Sequence, residues 1–227
     1  MDSNRLVTCT FRSAKQCTTE GLSEILLDYN EEDCRFNIKD YDERYLDGYY
    51  CVKVNKNETS YDFISGTFET TMVTRTLVAH FSFDVVQNRI IVCGGKVVMT
   101  RMFTAFSLCF NNDLTIDVVE PDLGKILAFT SKNDGFVPLK AKICDVPIAG
   151  GFLANCIVAL SEYENKQEFL VKYSENISQI SLLIVEKDDE FDDFTITIYG
   201  TGYVVLHKEL EDLVDVQKEI ILSLLSV

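Results

Sequence analysis

Hydrophobic and polar positions alternate along much of this chain, and in a few stretches the apolar positions recur at helical spacing instead. Alternation with a period of two is typical of a strand with one buried face, whereas spacings of three and four indicate an amphipathic helix. The alternating and apolar runs predict strands over residues 6–11, 48–55, 76–85, 88–95, 114–121, 138–148, 151–160, 180–187 and 194–207. Helical spacing predicts helices over residues 18–29, 96–110, 122–130, 164–177 and 208–225.

Cap and turn residues predict where several of these elements begin or end. Thr18 or Thr19 is suited to cap the first helix, and Asp122 is suited to cap the third. Asn55 predicts a turn at the end of its strand, and residues 87–88 predict a hairpin turn. These signals agree with the element boundaries that the periodicity indicates.

The order of the elements predicts an α+β fold, with mixed or antiparallel sheets and helices packed on one face. The second half of the chain repeats the element order of the first, so two similar ββα-type halves are a further hypothesis. The predicted organisation is an N-terminal segment over residues 1–65, with a strand, a helix and an acidic tyrosine-rich stretch, followed by an α+β core over residues 66–227. That core is expected to contain sub-halves at about 66–135 and 136–227.

Charge and cysteine usage restrict the class of protein. The chain has 227 residues and a formal net charge of −15, which disfavours a large nucleic-acid footprint or an anionic membrane surface. It has neither a run of about 20 apolar residues nor a secretory signal, so we expect a cytoplasmic protein. Its eight cysteines show no C-x-x-C spacing, and we expect them to be reduced thiols.

The stretch Cys93–Arg101, CGGKVVMTR, places a glycine pair and a lysine before an apolar helix. Backbone N–H groups of Gly94 and Gly95, with the charge of Lys96, could bind an anion at the helix N-terminus. The phosphate-loop pattern is absent, however, and adjacent glycines also serve a strand that turns sharply into a packed helix. The sequence favours the corner and leaves the anion site as the alternative.

The middle of this acidic chain is basic. Between residues 71 and 110 the charged residues are Arg75, Arg89, Lys96 and Arg101, with Asp84 as the single acid. One hypothesis is a nucleic-acid-binding face, to which Gly94 and Gly95 would belong. The other is that these cations pair with carboxylates elsewhere in the chain, and the net charge favours it.

A tyrosine-rich acidic segment is the predicted partner-binding surface. Six of the ten tyrosines lie between residues 29 and 61, among many carboxylates. Tyrosine combines apolar area with low rotamer cost, and neighbouring charge steers association. The predicted contact residues are Asp40, Tyr41, Asp42, Glu43, Tyr45, Tyr49 and Tyr50. The alternative is an irregular solvated excursion whose tyrosines anchor it to the core.

Catalysis has little support in the sequence. Known hydrolase, zinc and deaminase motifs are absent, and His80 with Cys93 is the one nucleophile–base pairing on neighbouring strands. The acidic run over residues 186–193 lacks a calcium-loop pattern and reads as a solvated hairpin loop. The glycines of residues 199–204 indicate a bulge or bend. We predict neither a metal nor a cofactor, and an enzyme of unrecognised type is left open.

These observations predict a non-enzymatic cytoplasmic binding protein, a subunit or adaptor that acts through macromolecular contacts. The expected partner is a protein, and the acidic charge favours a basic one; a membrane partner is not expected, and the oligomeric state is left open. The alternatives are a nucleic-acid-binding α+β domain that uses the basic middle, and an acidic nucleic-acid mimic that inhibits a nucleic-acid-binding enzyme. A conflict between phage and bacterium, with a role in antiviral defence, would suit both alternatives.

Overall fold

The computed structural model describes residues 5–13, 17–161, 166–186, 192–207 and 215–226. They form mainly antiparallel strands together with helices, so the broad α+β prediction is confirmed. The strands are β1 (Arg5–Ser13), β2 (Cys34–Tyr41), β3 (Tyr45–Asp62), β4 (Thr67–Asp84), β5 (Arg89–Gly94), β6 (Leu114–Val118), β7 (Phe136–Pro147), β8 (Leu153–Ala159), β9 (Ile177–Ile184), β10 (Phe194–Tyr199) and β11 (Tyr203–Leu206). The helices are α1 (Thr19–Asp28), α2 (Lys96–Cys109), α3 (Leu123–Thr130), α4 (Lys166–Tyr173) and α5 (Asp215–Leu225).

The chain forms two compact units. The middle unit comprises Phe11–Ile116, and the split unit comprises the residues up to Thr10 together with those from Asp117 onward. The chain therefore enters the middle unit within β1 and leaves it within β6. Residues 65 and 66, where the sequence analysis placed a domain boundary, lie in the turn between β3 and β4 of the middle unit.

The sheet of the middle unit has the strand order β2–β3–β4–β5, with the C-terminal part of β1 beside β5. Its core is an aromatic cluster between this sheet and α2. The ring of Phe106 in α2 lies 5.0 Å from that of Phe36, 5.5 Å from Phe81 and 5.3 Å from Phe83. All four side chains are buried, and ring contacts of this kind add to the free energy of burial. This packing accounts for the buried face of α2, whereas Val97 and Leu108 on its other side are exposed.

The sheet of the split unit has the strand order β1–β11–β10–β9–β7–β8. Alternation along β9 buries Ile180, Leu182 and Ile184, and α3 contacts β9 and β7. Asp122 caps α3, since its side chain accepts a hydrogen bond from Lys125 N–H at 3.0 Å. That cap was predicted and is confirmed.

The first helix also begins where its sequence predicts. Thr18 is the N-cap of α1, and its Oγ1 accepts a hydrogen bond from Gly21 N–H at 3.2 Å. The predicted starts of the last two helices, residues 164–165 and 208–214, lie outside the described residues.

The turn predicted at Asn55 is wrong. β3 continues to Asp62 and remains paired with β4 along its whole length. Threonines on the facing strand favour the extended conformation, and cross-strand contacts such as Thr59 Oγ1 to Thr70 Oγ1 at 3.1 Å connect the two strands. A single asparagine does not end a strand when the residues on both sides of it continue to pair with the partner strand.

The bulge or bend predicted for residues 199–204 is a complete turn. It separates β10 from β11, so one predicted strand is two. Gly202 has a φ of +83°, and a Cβ at this position would clash with the carbonyl oxygen of Val119. Glycine is required there by both its backbone conformation and the close approach of Val119.

Candidate functional site

The predicted partner-binding residues lie in and beside the turn between β2 and β3, apart from two tyrosines further along β3. Tyr41 and Tyr45 are 49% and 40% exposed. Asp40, Asp42 and Glu43 are also exposed. We call residues 40–45 the turn surface.

Asp42 organises the turn surface. Its Oδ1 accepts hydrogen bonds from the N–H groups of Tyr45 at 2.6 Å and Arg44 at 2.7 Å. These two hydrogen bonds lower the pKa of Asp42, because they stabilise its carboxylate. Thr19 Oγ1 donates to the Asp42 carbonyl oxygen at 2.6 Å, which ties the turn to the first residue of α1. The backbone that presents Tyr45 is therefore fixed.

A second set of contacts joins this turn to the one between β4 and β5. Arg44 donates to Asp84 Oδ2 from Nε at 3.1 Å and from Nη2 at 2.7 Å, and its guanidinium lies 4.7 Å from the centre of the Tyr45 ring. Asp84 Oδ1 accepts the N–H groups of Val86 and Gln87. One buried carboxylate thus holds both turns, and the cation stacks on an exposed tyrosine.

Tyr49 and Tyr50, the other two tyrosines of the predicted surface, are less exposed than Tyr41 and Tyr45. Tyr50 is 2% exposed, and its ring lies 4.9 Å from that of Phe36. Burial raises the pKa of Tyr50, and a hydrogen bond with Cys34 raises it further. Because Tyr50 belongs to the core, we leave it out of the proposed binding surface. Tyr49 is half-buried, and its ring makes an edge contact with His80 at 4.5 Å.

The four cations of the predicted basic face are spread over different parts of the middle unit. Arg75 is paired with Glu58 across the β3–β4 hairpin, with an N···O distance of 2.5 Å. Arg89 lies opposite Asp84, which is nine residues beyond Arg75 along β4. At the rise of a strand, this separation corresponds to roughly 30 Å. Lys96 and Arg101 are exposed on α2.

The glycine pair makes a packed corner between β5 and α2. A Cβ at Gly94 would lie 3.0 Å from the Cβ of Ala79 and 3.3 Å from a methyl carbon of Val98. Gly95 is the N-cap residue, and its carbonyl oxygen accepts the N–H of Met99 at 3.1 Å, so the helix starts directly at the corner. This geometry supports the corner interpretation of the sequence.

Sequence reasoning missed a two-stranded arm. β3 and β4 remain paired from Lys53 with Thr76 to Asp62 with Thr67, whereas the ladder of β2 ends at Val52. These ten residue pairs reach about 30 Å beyond the rest of the sheet at 3.4 Å per residue. We call Lys53–Thr76 the arm.

The two faces of the arm differ in charge. One face is formed by Lys53, Asn55, Asn57, Thr59, Tyr61, Phe68, Thr70, Met72, Thr74 and Thr76. Lys53 is its single charged residue. The other face is formed by Val54, Lys56, Glu58, Ser60, Asp62, Thr67, Glu69, Thr71, Val73 and Arg75. The arm therefore has one nearly uncharged face and one charged face, and almost all of it is exposed.

The tip of the arm presents apolar side chains to solvent. Phe63 and Ile64 are 90% and 98% exposed, and Phe68 beside them is 74% exposed. The ring of Tyr61 lies 5.1 Å from the rings of both Phe63 and Phe68. The tip is thus a small, ordered aromatic group.

Asp62 fixes the backbone of this tip. Its Oδ1 accepts Ile64 N–H at 2.9 Å, its Oδ2 accepts Ser65 N–H at 3.3 Å, and its carbonyl oxygen accepts Gly66 N–H at 2.9 Å. The Ile64 N–H and then the Ser65 side chain lower the pKa of Asp62. The combination of aspartate, serine and glycine between two polar stretches was the sequence signal for this hairpin.

The described residues include the histidine and the cysteine that the sequence analysis considered for catalysis. Among them, no group of three or more histidine, cysteine or acidic side chains could hold a metal ion. His80 and Cys93 are register partners on β4 and β5. Burial, and then Asp117, raise the pKa of Cys9 to about 12, and burial raises that of Cys109 to about 12, so both thiols stay protonated near neutral pH. In the described ranges no helix is long and apolar enough to span a membrane.

No protein-family model matches this sequence, and none of the curated proteins matches it either.

Proposed function

We infer that this protein is a non-enzymatic binding protein, a subunit or adaptor that acts through contacts with another protein. The observation that carries this inference is the arm tip, where Phe63 and Ile64 are almost fully exposed on a backbone fixed by Asp62. Contiguous exposed apolar groups of this kind mark interaction sites. A fixed backbone also reduces the entropy that is lost on binding. The occupant we expect is an apolar pocket on the partner.

Charge near the tip indicates the rim of that pocket. Asp62 and Glu69 lie on the charged face of the arm close to its tip, and basic residues on the partner would complement them. The turn surface fits the same kind of partner, because Tyr41 and Tyr45 lie beside the exposed carboxylates of Asp40 and Glu43. A net charge of −15 would speed association with a basic protein.

The test uses the full chain as bait in an extract of its host, with quantitative mass spectrometry of the retained proteins. Three forms are compared: wild type, the arm variant Phe63→Ser with Ile64→Ser, and the turn variant Tyr41→Ala with Tyr45→Ala. We expect at least one protein to be retained by wild type and reduced more than tenfold by the arm variant. A smaller reduction by the turn variant would assign it a supporting contact.

The matched control is Leu27→Ser with Leu108→Ser, which removes two side chains that are 54% and 53% exposed on helices α1 and α2. This double variant removes exposed apolar side chains outside the arm and the turn surface, although less apolar area than the arm variant, and it should retain the same proteins as wild type. If all four baits retain the same proteins in the same amounts, the inference is wrong.

The alternatives have weaker support. A nucleic-acid-binding face needs cations on one surface, whereas Arg75 is paired with Glu58 and lies far along β4 from Arg89. The acidic mimic stays a hypothesis that no contact favours. The ratio of absorbance at 260 and 280 nm of gently purified protein separates these cases, since a chain with ten tyrosines and no tryptophan reveals even a little nucleic acid. A raised ratio that nuclease abolishes would favour the nucleic-acid alternative.

The contacts of Phe106 with three rings of the sheet support helix packing on one face of the middle unit. Two similar ββα-type halves, the cytoplasmic location and a role in a phage–bacterium conflict stay predictions.

A further inference from the structure

The outer edge of β8 is open among the described residues. β8 pairs with β7 on one side and is the last strand in its sheet. Leu160 N–H donates to the Leu139 carbonyl oxygen at 2.9 Å, and the Phe152 carbonyl oxygen accepts Ile148 N–H at 2.9 Å, so residues 152 and 160 direct these groups toward the β7 side. Along a strand, the N–H and C=O groups of successive residues point alternately to its two edges. Leu153, Asn155, Ile157 and Ala159 therefore direct their N–H and C=O groups outward.

This edge lacks the usual protection. Proteins keep strand edges apart with lysine, proline or bulges, and the β8 sequence LANCIVA contains neither lysine nor proline. The register shift in this strand pair adds one extra residue to β7, between Ile143 and Val146. Phe152, Leu153 and Ile157 are 69%, 63% and 74% exposed, so an apolar surface accompanies the open edge.

The charge pattern indicates a second copy as the occupant. Residues 148–160 contain no charged side chain, although 25% of the chain is charged. Two copies, each with a net charge of −15, repel one another least where a surface is uncharged. A basic partner, by contrast, would gain no electrostatic attraction from this uncharged segment.

We propose that β8 is a self-association surface, at which the β8 strands of two copies pair antiparallel about a two-fold axis through Cys156. In this register Leu153 faces Ala159 and Asn155 faces Ile157, so each large side chain lies opposite a smaller one. The four outward residues of each copy each donate once and accept once, which gives eight hydrogen bonds across the axis. The two Cys156 residues form the central pair without hydrogen bonds, where Cα atoms are about 4.5 Å apart.

That spacing makes the proposal testable by a disulfide. Two thiols lose two protons and two electrons to one molecule of diamide, and a bond forms between the two sulfur atoms when their Cα atoms are roughly 4.4–6.8 Å apart. The full chain is treated with diamide over a range of protein concentrations and analysed by non-reducing electrophoresis. We expect a species of twice 25.8 kDa that contains a Cys156–Cys156 peptide by mass spectrometry. Cys156→Ser should abolish it, and the control Cys144→Ser in β7 should leave it unchanged.

Two variants test the strand pairing without any oxidant. Asn155→Pro removes an outward N–H and leaves the ladder with β7 complete, and Ile157→Lys adds a charge to the edge. In sedimentation velocity, wild type should show a concentration-dependent dimer. This dimer should be weak, because an interface of seven residues from each copy is small. Both variants should be monomeric. Circular dichroism and thermal melting check folding, and Ile157→Lys keeps the test decisive if Asn155→Pro does not fold.

A wild type that is monomeric at every concentration would overturn the proposal, and so would a dimer that Ile157→Lys leaves intact or a disulfide through another cysteine. The outcome is independent of the proposed function. The variant Phe63→Ser with Ile64→Ser should dimerise like wild type, because the arm belongs to the other unit.

Discussion

Arg44 and Asp84 lie forty residues apart in sequence and are joined by two hydrogen bonds, from Nε at 3.1 Å and from Nη2 at 2.7 Å to the same Oδ2. Asp84 is 7% exposed, and its other oxygen accepts two backbone N–H groups of the β4–β5 turn. A single carboxylate therefore fixes both turns at this end of the middle unit. One of these two turns, the turn between β2 and β3, carries the exposed Tyr45.

Asp84→Asn should lower the free energy of unfolding by about 1–3 kcal/mol. The amide has one oxygen, which cannot accept from both the guanidinium of Arg44 and the N–H groups of the β4–β5 turn. Urea denaturation followed by circular dichroism measures the loss. Asp113→Asn changes an exposed aspartate and should cost little. Equal losses in the two variants would contradict the role given to Asp84.

The same carboxylate should make stability depend on pH at the acid end. Burial works against its ionisation, but the hydrogen bonds from Arg44 and from Gln87 N–H outweigh burial, and the pKa of Asp84 is lowered. Because the unfolded-state pKa is about 3.9, the stabilisation is complete above that pH and is lost as the pH falls through the folded-state pKa. Melting temperatures of wild type and Asp84→Asn should therefore differ by a constant amount down to about pH 4 and converge below it. A difference that stays constant over the whole acid range in which both proteins are folded would contradict this linkage.

Local signals predicted much of the fold because they act over a few residues. Thr18 and Asp122 cap the helices that their positions indicate, and the apolar run from Lys96 became a helix packed on the sheet. The turn predicted at Asn55 was wrong because the partner strand decides where a strand ends, and β4 remains paired with β3 beyond Asn55. Tertiary pairing overrode a local turn signal.

The candidate site was less predictable, since exposure is a property of the whole fold. Tyr45 and Tyr50 are five residues apart in one acidic, tyrosine-rich segment, yet one is exposed and the other lies in the core. Strand alternation separates odd from even positions only once the strand's start is known. The exposure of Phe63 and Ile64 depends on an arm that extends past the sheet, and no property of those two residues reveals it.

Gly94→Ala and Gly95→Ala should separate a packed corner from a merely flexible one. At Gly94 an added methyl group would be 3.0 Å from the Cβ of Ala79, and such overpacking costs about 1–3 kcal/mol. Gly95 has a φ of −72° and a ψ of 153°, which any residue adopts. Alanine is a poorer N-cap than glycine, but it also lowers the entropy of the unfolded chain, so the replacement of Gly95 should change stability by less than about 1 kcal/mol. Thermal denaturation of the two variants provides the comparison. A tolerant Gly94 would show that β5 and α2 can move apart.

Cys9 and Cys109 should resist alkylation in the folded protein. With a pKa of about 12, only about one in ten thousand of these thiols is ionised at pH 8, and the thiolate is the reacting species. Iodoacetamide at pH 8, followed by peptide mass spectrometry, should leave both unmodified in the native state. The control is the same treatment in guanidinium chloride, which should modify all eight cysteines. Rapid native modification of Cys9 would mean that its strand opens easily.

Removal of the arm should separate binding from folding. Residues 57–72 are replaced by Asn-Gly, which joins Lys56 to Val73 through a two-residue hairpin turn. Lys56 and Val73 are a hydrogen-bonded pair of the ladder, because Lys53 N–H donates toward β2 and the direction of the backbone groups alternates from there. The 2.7 Å hydrogen bond from Thr74 Oγ1 to Asn55 Oδ1 is kept. The free energy of unfolding should change by less than about 1 kcal/mol, because a two-stranded hairpin that extends past its sheet contributes little stability of its own. Retention of the partner protein should fall as far as in Phe63→Ser with Ile64→Ser. A shortened chain that is folded by circular dichroism and still retains the partner would place the binding site elsewhere, with the turn surface at Tyr41 and Tyr45 as the next region to test.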